Sequence, residues 1–288
     1  MISSEIVYNL INFTIWFYCY TATIYSWVKP FSTIYIVASQ QIYVIMKLTQ
    51  LPRNGFDKMT NNMDFDTEMA TEYDKGVRRT LPTYDALFRL VQTYLRKHTK
   101  KDADVLIVGA GGGTELAILG PQNPQWTFTA VDPAAPMLDL ARDKAQHLQL
   151  VERVKFIEGT IDDVETDSLY DAATFMLVFH FIQDDSEKLQ QLTNIRKQLK
   201  PGAPFILASM YGNPGSAEFD ELFSLWKAYW LDATNLTAGE MDEMEATVRG
   251  LSFIPEEKIV AMLSEAGFGN IAKFFTTNMF GGWICRAI

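Results

Sequence analysis

The distribution of apolar and polar residues after residue 100 predicts alternating strands and helices. Val105 to Val108 is an apolar, largely β-branched run that is too short for a buried helix and is followed by glycine. Such a run predicts a buried parallel strand. Further strands are predicted near 126–131, 154–157 and 204–208, and another is predicted within the run 170–180, with its end at 176–178. Because helical repeats separate these runs, the pattern indicates an α/β fold around a mostly parallel sheet.

Segments with helical spacing of apolar residues are also found before the first predicted strand and after the fifth. Residues 66–77 and 81–98 have the apolar spacing of helices, and we expect these helices to precede the first strand and to cover one side of a ligand cleft. Residues 211–250 form an aromatic-rich helical insertion, which we expect to be a lid over the open edge of the site, an amphipathic pair that closes the core, or both. Residues 271–276 and 280–287 predict a terminal hairpin on the sheet edge.

The first fifty residues have a different composition. Between residues 6 and 46 the only charged residue is Lys29, and the stretch before it is long enough to span a bilayer. Asn, Thr and Ser dilute its apolar character, and no positive cluster precedes it to make a signal peptide.

Three interpretations of this segment stay open. It is a membrane anchor or hairpin, a hydrophobic extension that packs on the domain or on a partner, or a consequence of a true translation start at Met46, Met59 or Met63. We therefore divide the chain into a hydrophobic extension at 1–55 and one domain at 56–288. Association with a membrane through residues 6–46 is left open.

Charge and cysteine content narrow the function classes. The formal net charge is −10 and the pI is about 4.8, which argues against general binding to nucleic acid, because its phosphates would be repelled. Cys19 and Cys285 are the only cysteines and lie far apart, so neither a disulfide framework nor a cysteine metal site is expected. This usage fits a reducing compartment and predicts a cytoplasmic protein, with membrane association through the N-terminal segment as the alternative.

A glycine-rich turn follows the first predicted strand. Gly109, Gly111, Gly112 and Gly113 allow a tight turn and a close approach of the backbone to a ligand, and the helix that starts near Thr114 directs its free N–H groups there. Asp132 ends the second predicted strand at the same sheet edge, where an acid can accept both hydroxyls of a ribose.

Together, the turn and the acid predict a nucleoside half-site. Dinucleotide dehydrogenases have similar glycine strings, but their last glycine position holds Thr114 here, which favours a cofactor other than NAD.

The order of motifs carries a family resemblance. Four motifs occur in order: the strand, glycine turn and acid up to Asp132-Pro133-Ala134, the strand ending in Glu158-Gly159, the run 170–180, and Leu199-Lys200-Pro201-Gly202. With these motifs, residues 56–288 resemble the class I S-adenosylmethionine-dependent methyltransferases. The resemblance implies a Rossmann-like, seven-stranded, mostly parallel sheet with helices on both faces and an antiparallel last strand. It also implies S-adenosyl-L-methionine as cofactor, a small-molecule substrate and a homodimer.

A closer likeness lies before the first strand. Phe65-Asp66 together with the run Arg79-Thr80-Leu81-Pro82-Thr83-Tyr84 is similar to the carboxy-S-adenosylmethionine synthases and their methyltransferase relatives. The tyrosine after the proline contacts the cofactor in that family, so the resemblance assigns this role to Tyr84. An aromatic residue that packs a helix onto the sheet is the alternative.

The resemblance and the expected geometry assign the other cofactor contacts. Gly109, Ala110 and Gly111 are expected to pass under the methionine portion, and Asp132 is expected to bind the ribose. The adenine edge is expected to meet the segment after the third strand, and the sulfonium to lie beside the end of the fourth. The remaining cofactor-binding candidates are Gly113, Pro133, Thr160, Ile161, Asp162, Met176 and Val178.

Two positions depart from the family pattern. Ile107 stands where many relatives have an acid, and Thr160 stands where the carboxy-S-adenosylmethionine synthases have aspartate.

Glu115, directly after the glycines, could face the cofactor's amino group, but an acid favoured by the helix dipole is the commoner explanation.

His180 is the one histidine near the expected cleft and is our candidate general base, with a structural histidine at a strand end as the alternative. It has no carboxylate or metal-ligand spacing around it, so no metal is expected.

The expected reaction is methyl transfer to a small or medium-sized acceptor, achieved by positioning and proximity. Synthesis of carboxy-S-adenosylmethionine depends in that family on an arginine in the insertion. No arginine lies between Met210 and Val248, and Asp232 stands near the matching position. That synthesis and a non-catalytic S-adenosylmethionine-binding protein are the alternatives, and a nicotinamide-dependent oxidoreductase is disfavoured.

Overall fold

The computed structural model describes residues 76–78, 81–165 and 168–288. The hydrophobic extension at 1–55, the Phe65-Asp66 pair and most of the helix predicted at 66–77 lie outside the described residues. Residues 76–78 are helical, and every structural statement below concerns the described part of the chain.

The described chain alternates strands and helices as its pattern predicts. The helices are α1 (Tyr84–His98), α2 (Thr114–Gln122), α3 (Ala135–His147), α4 (Asp185–Lys197), α5 (Ala217–Ala233), α6 (Ala238–Arg249) and α7 (Glu256–Glu265). The strands are β1 (Asp104–Val108), β2 (Thr127–Asp132), β3 (Val154–Glu158), β4 (Ala172–Met176), β5 (Pro204–Met210), β6 (Phe268–Thr277) and β7 (Phe280–Ala287).

These strands form one sheet in the order β3-β2-β1-β4-β5-β7-β6. Strands β1 to β5 pair in parallel, while β7 is antiparallel to both β5 and β6. The predicted seven-stranded, mostly parallel sheet with an antiparallel last strand is therefore confirmed. Because the chain moves outward from β1 to β3 on one side and from β4 on the other, the β1 and β4 ends border a crevice of the kind that binds ligands in open α/β sheets.

Two apolar cores lie on opposite faces of this sheet, as the alternation of side chains along β1 requires. Val105 and Ile107 belong to the core that includes α1, α2 and α3. Leu106 and Val108 belong to the core that includes α4 and α7. The expected helices on both faces are thus present, and β1 is buried from both sides, which explains its uninterrupted apolar run.

The insertion at 211–250 forms α5 and α6 and packs into the first core. Phe219, Phe223 and Trp226 are buried there, and Phe223 and Trp226 meet edge to face at 5.3 Å between ring centroids. Such buried aromatic pairs stabilise the attachment of α5. The insertion therefore closes the core, as one of its two expected roles requires, and its lid role stays a prediction.

The fourth strand occupies the middle of the 170–180 run. It ends at Met176, because Leu177 adopts the left-handed conformation with φ of 61°, and a 3-10 turn follows at Phe179–Phe181. At the other end, Tyr170 makes only an isolated bridge to Leu199. The observed end at Met176 agrees with the end predicted at 176–178, and the apolar run continues beyond it because most of the following residues are buried as well.

Two further observations bear on the N-terminal and cysteine predictions. Cys285 is a buried free thiol whose pKa is raised by burial, and Cys19 lies outside the described residues. In the ranges that the structure describes, no helix combines the length and apolar character needed to cross a bilayer.

Candidate cofactor cleft

A cleft of about 230 Å³ opens at the carboxyl ends of β1, β2 and β4. Six elements form its walls: the glycine turn after β1, the start of α2, the segment after β2, the segment after β4, and helices α1 and α3. Its lining residues are Tyr84, Phe88, Gly109, Ala110, Gly111, Gly112, Thr114, Glu115, Asp132, Pro133, Ala134, Met137, Met176, Leu177, Val178 and Phe181. Eight of the predicted cofactor-binding residues lie among them.

The glycine turn has the close approach that its composition predicts. Gly109 has a φ of 66°, and a Cβ added to it would lie 2.2 Å from Cγ2 of Val178. The turn is held to the sheet, because the N–H of Ala110 donates to the carbonyl of Val131 at 3.0 Å. Only a residue without a side chain fits at Gly109, so the backbone itself forms this wall of the cleft.

Asp132 is the best-oriented charged side chain in the cleft. It is 8% exposed, and its two carboxylate oxygens accept the N–H groups of Gly111 at 2.8 Å and Ala134 at 2.9 Å. Burial raises the pKa of Asp132, and these two hydrogen bonds act in the opposite direction. A carboxylate has about four acceptor sites, so both oxygens retain capacity for the two hydroxyls of a ribose.

Tyr84 lies in the first turn of α1 and forms part of the opposite wall. Its hydroxyl lies 3.3 Å from Oγ1 of Thr114, and its ring packs against that of Phe88 in a tilted arrangement with 4.7 Å between the ring centroids. The guanidinium of Arg78 lies 5.1 Å from the ring centroid. Tyr84 therefore combines the packing role with a position in the cleft, and its contact with a cofactor stays a prediction.

Four predicted cofactor residues are not among the lining residues. Gly113 packs instead against α3, where an added Cβ would lie 3.0 Å from Cα of Ala141. The other three form the turn after β3. Ile161 is buried in the second core, Thr160 caps the turn by accepting the N–H of Asp162, and the Asp162 carboxylate accepts from Asn194. The structure thus does not bring the predicted adenine segment into this cleft.

His180 lies behind the cleft wall and is 4% exposed. Its Nδ1 accepts the N–H of Met210 at 3.2 Å and lies 3.2 Å from Oγ of Ser209. Burial, aided by the charge of Lys188, lowers the pKa of His180 to about 3. Since Nδ1 is occupied by a main-chain donor and the ring is not among the lining residues, this arrangement matches the structural alternative.

Glu115, one of whose two interpretations from the sequence was a position facing the cofactor's amino group, lines the cleft and is buried. Glu115 is the second residue of α2 and is 4% exposed, and its Oε1 has no hydrogen-bond partner. Burial and the nearby charge of Asp132 raise the pKa of Glu115 to about 8, against the opposing effects of its own main-chain N–H and of Lys144. A helix-start acid stabilised only by the dipole would be exposed, so the commoner explanation does not describe this residue.

The raised pKa has a consequence for stability. Between the ordinary carboxyl pKa near 4.5 and about 8, the folded protein keeps the Glu115 proton while the unfolded chain loses it. Stability must therefore fall as pH rises through this window. We expect the Glu115→Gln variant to lose this part of the pH dependence, so that its Tm relative to wild type rises by several degrees from pH 5 to pH 8.

Thermal unfolding followed by circular dichroism at pH 5 to 8 measures this effect. The control is Glu187→Gln, which removes an exposed acid from the first turn of α4. Parallel curves for wild type and Glu115→Gln across the whole range would show that Glu115 is ionised throughout.

Several other lining residues had no recognisable signal in the sequence. Leu177 enters the wall through its left-handed backbone, and Met137 lies under the turn, 3.2 Å from the position of a Cβ on Gly111. Phe88 and Phe181 add aromatic surface. Among the described residues, no three His, Cys, Asp or Glu side chains are grouped as metal ligands.

Comparisons of the sequence agree with this geometry. A sequence profile described as a methyltransferase domain matches residues 106–205. The demethylmenaquinone methyltransferase of Deinococcus radiodurans is 26% identical over 218 residues, which cover 70% of this chain and 87% of that protein. The carboxy-S-adenosyl-L-methionine synthase of Campylobacter lari is 22% identical over 218 residues, covering 75% of this chain and 91% of that protein.

A solved structure supports the fold. An O-methyltransferase family protein from Burkholderia thailandensis superposes with a TM-score of 0.51 at 18% sequence identity, covering 82% of this chain and 67% of that one. At this identity the likeness concerns the fold alone.

Proposed function

We propose that this chain, which belongs to the S-adenosylmethionine-dependent methyltransferases, moves a methyl group to a small or medium-sized acceptor bound beside the cleft at the ends of β1, β2 and β4. The observation that carries the proposal is the placement of Asp132. Its buried carboxylate is held by Gly111 and Ala134 at the edge of a glycine-lined cleft.

The residues of the cleft fit the parts of S-adenosylmethionine. The carboxylate of Asp132 suits the ribose hydroxyls, and the bare backbone at Gly109 suits the methionine portion. Met176, Leu177 and Val178 form an apolar wall for the sulfonium side. The role of the Thr160–Asp162 segment in reading adenine stays part of the proposal, supported only by its place after β3.

Positioning accounts for catalysis in this proposal. S-adenosylmethionine supplies a methyl group that is already activated by the sulfonium, so the protein must hold an acceptor in line with it and exclude water. The aromatic residues Tyr84, Phe88 and Phe181 contribute apolar surface around the cleft. His180 would need to become accessible to act as a base, so we assign deprotonation, where the acceptor requires it, to no described residue.

The absence of an arginine in the insertion favours simple methyl transfer over carboxylation of the cofactor. No arginine lies between Met210 and Val248. Arg249 follows at the end of α6, but its guanidinium pairs with Asp220 and Glu245 and lies 4.1 Å from the centroid of the Phe223 ring. It is therefore engaged within the insertion and does not supply the missing cation to the cleft.

Turnover assays test this function directly. The full chain is incubated with S-adenosylmethionine carrying a labelled methyl group and with panels of phenols, carboxylic acids and amines, and S-adenosylhomocysteine is quantified. We expect acceptor-dependent formation of S-adenosylhomocysteine. The same incubation with prephenate, analysed by mass spectrometry, is expected to yield no carboxylated cofactor, and its appearance would favour the synthase alternative instead.

A non-catalytic S-adenosylmethionine-binding protein is the second candidate, because methyltransferases have no universal catalytic residue. Binding of the cofactor without turnover on any acceptor would support it.

Three organisational features complete the proposal. We keep the division into an extension at 1–55 and a methyltransferase domain at 56–288, with a lid role for 211–250 supported by its place after β5. The homodimer rests on the family resemblance and is measurable by light scattering. A cytoplasmic location rests on cysteine usage, with membrane association through residues 6–46 as the alternative that cell fractionation distinguishes.

A further inference from the structure

The cleft contains a second carboxyl group, and one of its two oxygens has no hydrogen-bond partner. Glu115 is almost fully buried at the start of α2, lines the cleft, and has an unpartnered Oε1. A buried acceptor without a partner destabilises the folded protein. Glycine turns and helix starts alone do not require such a group, so its position indicates that a donor enters the cleft.

Burial and the surrounding groups together determine the protonation of Glu115. Asp132, at the end of β2, disfavours a second negative charge, while Lys144 on α3 favours it. Tyr84 of α1 is the other titratable side chain among the described lining residues. Burial is the largest influence, so at neutral pH the carboxyl group is mostly protonated, and its pKa near 8 lies close enough for an incoming cation to ionise it.

The chemistry of the cofactor identifies the donor. S-adenosylmethionine has two cationic groups, but its sulfonium has no N–H or O–H to donate. Its α-ammonium has three N–H donors. Asp132 retains acceptor capacity for the ribose hydroxyls, so the ammonium is the donor that matches both the unpaired oxygen and the negative charge of an ionised Glu115.

We propose that Glu115 binds the α-ammonium of the cofactor and releases its proton to solvent when the cofactor enters. The carboxyl O–H bond breaks, the proton passes to the buffer, and the carboxylate forms an ion pair with the ammonium. This inference rests on the proposed function, because it requires S-adenosylmethionine to occupy the cleft.

Calorimetric titration of the full chain tests the proton release. Wild type and Glu115→Gln are titrated at pH 7 in phosphate and in Tris, whose ionisation enthalpies differ, with S-adenosylmethionine, S-adenosylhomocysteine and 5′-methylthioadenosine. The last compound lacks the amino-acid portion. For wild type we expect release of close to one proton with the first two ligands and none with the third.

The variants separate this role from a structural one. Glu115→Gln is expected to bind both amino-acid-bearing ligands about tenfold more weakly, to bind 5′-methylthioadenosine within twofold of wild type, and to release no proton. Wild-type affinity for S-adenosylhomocysteine should rise from pH 6 to pH 8, while that of Glu115→Gln stays flat. Glu187→Gln, the exposed helix-start control on α4, should behave as wild type.

Other outcomes overturn the inference in recognisable ways. Proton release that persists in Glu115→Gln would assign the titration to Asp132 or another group. If protons were released with S-adenosylmethionine but not with S-adenosylhomocysteine, the positive charge of the sulfonium, and not the α-ammonium, would be the cause of the release. Equal weakening of all three ligands would indicate a general loss of the cleft. If wild type binds none of the three, the proposed function itself fails, whereas tight binding that is insensitive to Glu115→Gln refutes only this inference.

Discussion

Replacing Asp132 by asparagine is expected to weaken the binding of S-adenosylmethionine and S-adenosylhomocysteine by about 100-fold or more. Hydrogen bonds to a charged acceptor contribute about 1.5 to 3 kcal/mol each, and the ribose would make two of them. The asparagine side chain keeps the size but offers one acceptor oxygen instead of two. Since Gly111 and Ala134 already donate to the two oxygens, one of these N–H groups would also lose its partner.

Calorimetric titration measures this loss, and thermal unfolding shows whether the fold survives. The matched control is Asp139→Asn, which neutralises an acid on α3 that pairs with Arg142 at the surface. This control should bind within twofold of wild type. An Asp132→Asn protein that retained wild-type affinity for both ligands would remove the observation on which the proposed function depends.

Replacing Gly109 by alanine is expected to be the most damaging small substitution in the cleft. The new Cβ would lie 2.2 Å from Cγ2 of Val178, and the backbone φ of 66° is unfavourable for an L residue. Overpacking costs about 1 to 3 kcal/mol, and the left-handed conformation adds about 1 to 2 kcal/mol. We expect a loss of roughly 2 to 5 kcal/mol in unfolding free energy and cofactor binding weakened by more than 100-fold.

Chemical denaturation and calorimetric titration measure these two effects. Gly112→Ala is the control for stability, because its Cβ would meet only Leu140 at 3.9 Å. It should lose less than about 1 kcal/mol. Adding Val178→Ala to Gly109→Ala should restore part of the unfolding free energy, because it removes the clash. The loss caused by the left-handed backbone at residue 109 should remain. A double variant no more stable than Gly109→Ala would show that the clash with Val178 is not the cause.

The elements of the fold that depend on local pattern were predictable. The apolar run Val105 to Val108 identified β1, the glycines identified the turn, and Asp132 was placed correctly at the end of β2. These predictions succeeded because strand propensity, the conformational freedom of glycine and the alternation of strands and helices act over a few residues. The seven-stranded sheet with its antiparallel last strand was implied by the family resemblance, whereas the strand order was found in the structure.

The environment of individual side chains was decided by tertiary structure. Glu115 and Glu187 both stand in the first turn of a helix, yet only Glu115 is buried in the cleft. His180 follows shortly after β4, whose end borders the cleft, but its Nδ1 contacts Met210 and Ser209 of β5 instead. Burial and charge at these positions depend on elements far away in sequence, which local pattern does not encode.

The sequence by itself therefore determined the α/β architecture, the glycine turn and the acid at the end of β2, because these follow from the spacing of residues along single elements. Only the tertiary structure decided that Val178 closes over Gly109, that Leu177 lines the cleft in a left-handed conformation, and that Glu115 is buried near Asp132 with one oxygen unpaired. The physical reason is that contacts between β4, α2 and the glycine turn form when the sheet brings their ends together, and burial then changes the pKa of Glu115.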